Sequence, residues 1–404
     1  MSETAPGDLP NRALLPAGLK DVLPPSAAHE AARVEDLLGV FAARGYERVK
    51  PPLIEFEAAL LAGPGASLAP QTFRLMDPAG QHMLALRPDM TTQVARIATT
   101  RLARAPRPLR LCYAGQVLRV RGTQMRPERQ FAQAGAELVG SAAPEADAEV
   151  AVMALDALAA VGLHRVSLDL TLPPLAGALA AHLDLAPDSA ARLRAALDRK
   201  DAAGVAELAG PHARLFGDLL RAAGPVETAL ERLRALDLPP ALQEEVRRLD
   251  TIQAAIRAAR PEATITVDPV EHRGFEYQSG VSFALYAQGV RGELGRGGRY
   301  TANGEGAGGK HDGTAAEPAT GFTLFLDTLL RAVPAPRPPA RIYLPHGTDA
   351  AAAARLREAG WVTLAGLAPV ADPAAEAGRL GCGHWLDGGQ VVALAPERDT
   401  DAQS

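Results

Sequence analysis

The chain has 404 residues, 47% hydrophobic, 22% charged and only 4% aromatic. That length and apolar share imply two or three folded domains with cores of small aliphatic side chains, and argue against a disordered chain. A formal charge of −5 gives no support to wholesale nucleic-acid binding, and the distant Cys112 and Cys382 argue against a cysteine-built zinc site.

The first eighteen residues read as a loose arm with neither the basic start nor the apolar run of a signal peptide. The richest apolar segment, AEVAVMALDALAAVGL, is broken by Asp156. The expectation is a cytoplasmic protein with no membrane contact. From Ala27 to Ala43 the spacing of Val34, Leu37, Leu38 and Phe41 predicts a helix with one apolar face. YERVKPPLIEF reads as an edge or interface strand interrupted by Pro51 and Pro52, and residues 72–87 as a hairpin. TTQVARIATTRLAR is expected as a helix. LRLCYAGQVLRV and QFAQAGAELVG are expected as strands, separated by the arginine-dense loop RGTQMRPER. Residues 145–162 predict a helix and VSLDL a strand.

From Ala176 to Arg260 nearly every segment has helical periodicity, with breaks at Pro187, Gly210, Gly224 and Pro239, so an all-helical insertion is expected. Strands return at ATITVDP and through EYQSGVSFALYAQGVRGELGRGGRY. GRGGRY reads as a glycine-rich loop feeding a helix, GFTLFLDTLL. PAPRPPA is a proline-rich linker, and the tail beyond it has one clear strand and one clear helix. The expected architecture is α+β: an antiparallel sheet flanked by helices, in two sequence blocks (1–170 and 261–333) around an insertion (171–260), with a small α/β region at 340–404.

Four stretches carry chemistry. In LRPDMTTQVARIA, Asp89 reads either as a helix cap, the commoner role, or as a carboxylate at a sheet lip. On the strand after Arg119, Gln133, Gly135 and Glu137 alternate, which puts glutamine and carboxylate on one side of a glycine gap. That pattern is a polar pocket floor with ligand space or, more commonly, a solvated strand face. Arg273-Gly274 reads as a backbone approach with a guanidinium for a carboxylate, or as an ordinary turn. The glycine-rich stretch before GFTLFLDTLL is weak by itself.

In this order the four stretches resemble the core of the class II aminoacyl-tRNA synthetases, and in particular histidyl-tRNA synthetase. GLKDVLP with the following helix and YERVKPPLIEF looks like the dimer-forming motif 1. LRPDMT resembles LRPEGT, and Arg119 to Gln133 resembles motif 2 without a gap. RGFEYQSG resembles the histidine-specific RGLDYYTG, and GGRY with GFTLFLDTLL resembles motif 3. The resemblance implies that Asp89, Thr91, Arg119, Gln133, Glu137, Arg273 and Tyr277 hold histidine, while Gln278 replaces the second tyrosine of the pair.

The departures fall on the nucleotide. Thr328, preceded by Asp327, stands where the synthetases carry the motif 3 arginine, and a hydroxyl supplies no cation to a triphosphate. Arg121, a donor only, replaces the glutamate that reads adenine. The tail is short and has no basic cluster for tRNA phosphates. This combination resembles the regulatory subunits of ATP phosphoribosyltransferase, as does the insert segment RAALDRKDAAGVAELAG. It implies a non-catalytic protein in histidine biosynthesis, without cofactor, metal or tRNA. Its partner would be the short-form catalytic subunit in a hetero-octamer, with self-association through motif 1 and histidine as effector. The competing reading is an active histidyl-tRNA synthetase that draws its cation from Arg296, Arg299 or Lys310.

Overall fold

The computed structural model describes residues 14–271, 278–302, 316–335 and 339–394. Most of the expected N-terminal arm, residues 1–13, lies outside them. The chain divides into two compact units, Met1–Pro334 and Ala335–Ser404.

The first unit begins with α1 (Ser26–Ala43), β1 (Glu47–Arg48), β2 (Ile54–Phe56), α2 (Glu57–Leu60) and a 3-10 segment, Gly63–Gln71. Next come β3 (Arg74–Met76), β4 (Met83–Leu86), α3 (Thr91–Thr99), β5 (Leu109–Leu118), β6 (Gln130–Val139), α4 (Pro144–Ala160) and β7 (Val166–Thr171). The helix-rich part holds α5 (Pro173–His182), α6 (Pro187–Asp198), α7 (Ala202–Ala209), α8 (Ala213–Arg221), β8 (Gly224–Pro225), α9 (Val226–Arg234) and α10 (Pro240–Ala259). The unit closes with β9 (Thr264–Asp268), β10 (Gln278–Ala287), β11 (Gly295–Ala302), β12 (Glu317–Phe325) and α11 (Leu326–Ala332).

Nine strands form one sheet in the order β1-β5-β6-β12-β11-β10-β7-β9-β8. It is antiparallel from β5 through β7, and parallel only at β1–β5 and β7–β9. Its two faces differ. One packs Leu37, Leu38 and Phe41 of α1, then α4 and the helices of 173–259, into the main core. The other carries a smaller cluster, in which Met90, Val94 and Ala98 around α3 cover Leu111, Tyr113, Val117, Phe131, Tyr300 and Phe325. Each buried leucine or phenylalanine contributes about 1.5–3 kcal/mol over its exposed state, so the main core dominates stability and the smaller face is free to house polar groups.

Several expectations need correction. YERVKPPLIEF is not one strand: the prolines split it into β1, at the edge of the large sheet, and β2, in a separate three-stranded sheet β2-β4-β3. GRGGRY is not a loop but the strand β11, whose glycines admit close neighbours; a Cβ on Gly297 would meet Gly321 O at 2.4 Å. The first half of GFTLFLDTLL is strand too. Phe322 and Leu324 enter the main core and Phe325 the smaller cluster, a period of two, before α11 starts at Leu326. The helical stretch contains the short strand β8, which pairs with β9. The helix expected through Arg104 stops at Thr99, where the Thr99 and Thr100 hydroxyls donate to the Ala95 and Arg96 carbonyls.

The second unit has β13 (Arg341–Leu344), α12 (Ala350–Glu358), β14 (Val362–Ala365), α13 (Pro373–Arg379), β15 (His384–Asp387) and β16 (Gln390–Ala393). Its sheet runs β14-β13-β15-β16, with β13 parallel to both neighbours. Ile342 and Leu344 pack with Ala353 of α12, and Tyr343 packs on the opposite side with Ala377 of α13. Asp349 and Asp372 cap the two helices by accepting from Ala352 N and Ala375 N, each at 3.0 Å. No helix of the described residues is long and apolar enough to cross a membrane.

Candidate functional site

The site lies on the smaller face of the sheet. On β6, Gln133, Gly135 and Glu137 stand opposite Phe325, Thr323 and Gly321 of β12 and opposite Gly115, Tyr113 and Leu111 of β5. Gln133 is 0% and Glu137 1% exposed, so this is no solvated face. The glycine gap holds no ligand space either: a Cβ on Gly135 would stand 2.6 Å from the Tyr113 hydroxyl, which fills it.

Asp89 is not the cap of α3, where Met90 holds the N-cap position, but its carboxylate folds back on the helix start. One carboxylate oxygen accepts from the Thr91 N–H at 2.9 Å, at the start of α3. The other accepts from Gln133 Nε2 at 2.9 Å, while Gln133 Oε1 accepts from Met90 N at 3.2 Å. The Thr91 hydroxyl meets Tyr113 OH at 3.2 Å. Tyr113 in turn donates to Glu137 Oε1 at 3.2 Å and meets Thr323 Oγ1 at 2.7 Å. Tyr300 donates to Glu137 Oε2 at 3.0 Å. Burial pushes the Glu137 carboxyl up to about 8, against the hydrogen bonds from Thr91 and Tyr300. At neutral pH this carboxyl is therefore mostly protonated, and can give a proton as well as accept an N–H. The cavity beside Asp89, Thr91, Glu137 and Tyr300 measures about 30 Å³, room for about one or two waters.

Arg119 sits at the end of this network. It donates to the Pro88 carbonyl at 3.3 Å and lies over the Phe131 ring at 5.1 Å. Burial pulls its guanidinium down to about 10, with Asp89 opposing. Gln278 lines the same cavity as Glu137. Arg273 and Tyr277 lie outside the described residues.

Beside Asp327 and Thr328 a loop arginine turns inward. Arg126, from the arginine-dense loop, donates Nε to Asp327 Oδ2 at 2.9 Å and Nη2 to Thr328 Oγ1 at 3.4 Å. Its guanidinium lies 3.9 Å from the Phe325 ring centre and 4.8 Å from that of Phe131. The α11 helix thus receives its cation from the loop. The substitute cations are placed differently. Arg299 points to the opposite face, where it donates to Asp147 at 3.0 Å and to the Ser141 and Ala143 carbonyls. Arg296 donates to Glu293 at 2.8 Å. Lys310 lies outside the described residues.

Sequence reasoning missed Tyr113, Tyr300 and Arg126. The two tyrosines were discoverable only through strand register, since Tyr113 reaches Glu137 from the neighbouring β5 and Tyr300 from β11, across the intervening β12. Arg126 was visible as one of several loop arginines, without a sign of which one turns inward.

A family model described as histidyl-tRNA synthetase matches residues 18–329. The chain is 55% identical over 385 residues to the ATP phosphoribosyltransferase regulatory subunit of Rhodospirillum centenum, covering 95% of this chain and 97% of that one. A solved structure from Bacillus halodurans, described as an ATP phosphoribosyltransferase regulatory subunit/histidyl-tRNA synthetase, matches with a TM-score of 0.76 at 24% identity, over 91% of this chain and 96% of its own. An ATP phosphoribosyltransferase complex from Thermotoga maritima matches with a TM-score of 0.57 at 17% identity, over 74% of this chain and 97% of that one. The two structural likenesses establish the fold as class II synthetase-like, and the sequence identity adds the subgroup. This chain belongs to the family of ATP phosphoribosyltransferase regulatory subunits, built on the histidyl-tRNA synthetase fold.

Proposed function

We propose that this regulatory subunit works without catalysis of its own and senses histidine through Asp89, Thr91, Arg119, Gln133 and Glu137, together with Arg273 and Tyr277. One observation carries the reading: Asp89, Gln133, Glu137 and Tyr300 belong to a buried polar network, while Arg126, the cation beside Thr328, is already paired with Asp327. In this reading Asp89 and Gln133 receive the ammonium group, Glu137 meets the imidazole, and Arg119 faces the carboxylate. The cavity has room for about one or two waters, so in this reading histidine has to open it. That need links occupancy to conformation, and histidine then shifts the complex toward whichever state holds the pocket open.

The partner in this proposal is the short-form catalytic subunit, in a hetero-octamer within the cytoplasm. Ile54 and Phe56 are exposed apolar side chains on one face of the β2-β4-β3 sheet, which supports self-association through the motif 1-like region.

Histidine-dependent exchange of labelled pyrophosphate into ATP tests the reading on the pure chain. No exchange is expected, with histidine binding by calorimetry and a histidine-sensitive change in the catalytic subunit's rate. Exchange at the rate of a synthetase would replace this reading with the enzyme.

A further inference from the structure

Beside the polar network, a cavity of about 380 Å³ is lined by Arg119, Arg121, Arg126 and Arg296, with the carboxylates Glu128 and Glu293 among them. Four converging guanidinium groups suit a polyphosphate, whose oxygens accept paired N–H donors. The charge available is smaller than the number of arginines suggests. Arg296 is paired with Glu293, and Arg126 with Asp327.

The second pair is unusual in its burial. The Asp327 side chain is 5% exposed and that of Arg126 12%. Asp327 Oδ1 is buried with no hydrogen-bond partner among the described residues, so Arg126 is this carboxylate's one ion-pair partner there. A phosphate that drew Arg126 away would leave a carboxylate unpaired in the interior, and that penalty opposes binding. Protein anion and ligand anion compete for one cation.

We propose that Asp327 is a specificity residue that excludes polyphosphates from this cavity by holding Arg126 in a buried ion pair. The inference concerns the arginine-lined cavity alone and stands whether or not histidine is the effector.

Inorganic tripolyphosphate, titrated into the full chain by calorimetry, reads this directly. D327N removes the competing charge and should bind tripolyphosphate at least about tenfold more tightly than the wild-type chain. Adding R126Q to D327N should abolish the gain. The proposal is overturned by a folded D327N without a gain or by a gain that survives in the double variant. If D327N does not fold, D327S, which also removes the competing charge, takes its place in both titrations.

Discussion

Arg126 Nε stands 2.9 Å from Asp327 Oδ2, joining a loop to a helix 201 residues further along the chain. The pair fixes the loop between β5 and β6. Removing one partner of a buried pair typically costs about 3 kcal/mol or more, whereas removing both with apolar replacements costs far less. R126M should therefore lower unfolding stability in urea by about 3 kcal/mol, and R126M/D327L should recover much of that loss. Equal losses in the single and double variants would show that the pair is not the compensating unit.

Glu137 makes stability depend on pH. Its folded value, about 8, lies above the ordinary 4.5. Below the ordinary value both folded and unfolded chains are protonated and the stabilisation is fully present. As pH rises toward 8 the unfolded chain ionises while the folded one holds its proton, so stability falls across that window. The loss is on the order of a few kcal/mol. E137Q, which cannot ionise, should lack this component in urea melts taken from pH 5 to 8.

Asp89 accepts from two donors, the Thr91 N–H and Gln133 Nε2. Asn at this position brings an NH2 group against one of them. D89N should lose about 1–2 kcal/mol of stability. If Asp89 receives the effector's ammonium group, D89N should also weaken histidine binding at least about tenfold, measured by calorimetry.

Gly321 makes room for Glu137: a Cβ there would stand 1.9 Å from Glu137 Oε2 and 2.5 Å from the Ala136 carbonyl. G321A should cost about 1–3 kcal/mol. It should also displace the carboxylate, lowering histidine affinity more than a remote change of equal cost would.

Phe56 is 56% exposed beside Ile54. If this patch holds two copies together, F56D should shift the chain toward monomer in sedimentation velocity while leaving its melting temperature close to that of the wild-type chain.

Local order was legible along the sequence because it is written in periodicity. The apolar stripe of α1 fell where Leu37, Leu38 and Phe41 repeat every three or four residues. The breaks at Pro187 and Pro239-Pro240 marked helix starts because proline suits the first turn. Motif order singled out Asp89, Gln133 and Glu137, which the fold brings into one hydrogen-bonded network.

What the sequence could not supply was the partner of each side chain. A glycine run such as GRGGRY has the composition of a loop, and only packing between β10 and β12 makes it a strand. Arg296 and Arg299 look interchangeable in the sequence, yet an odd separation on a strand sends them to opposite faces. Register likewise decides that Tyr113 fills the gap at Gly135. The kind of residue and its period are local properties, fixed by the chain. The neighbour across a strand, and the distant carboxylate that neutralises an arginine, exist only once the sheet has closed.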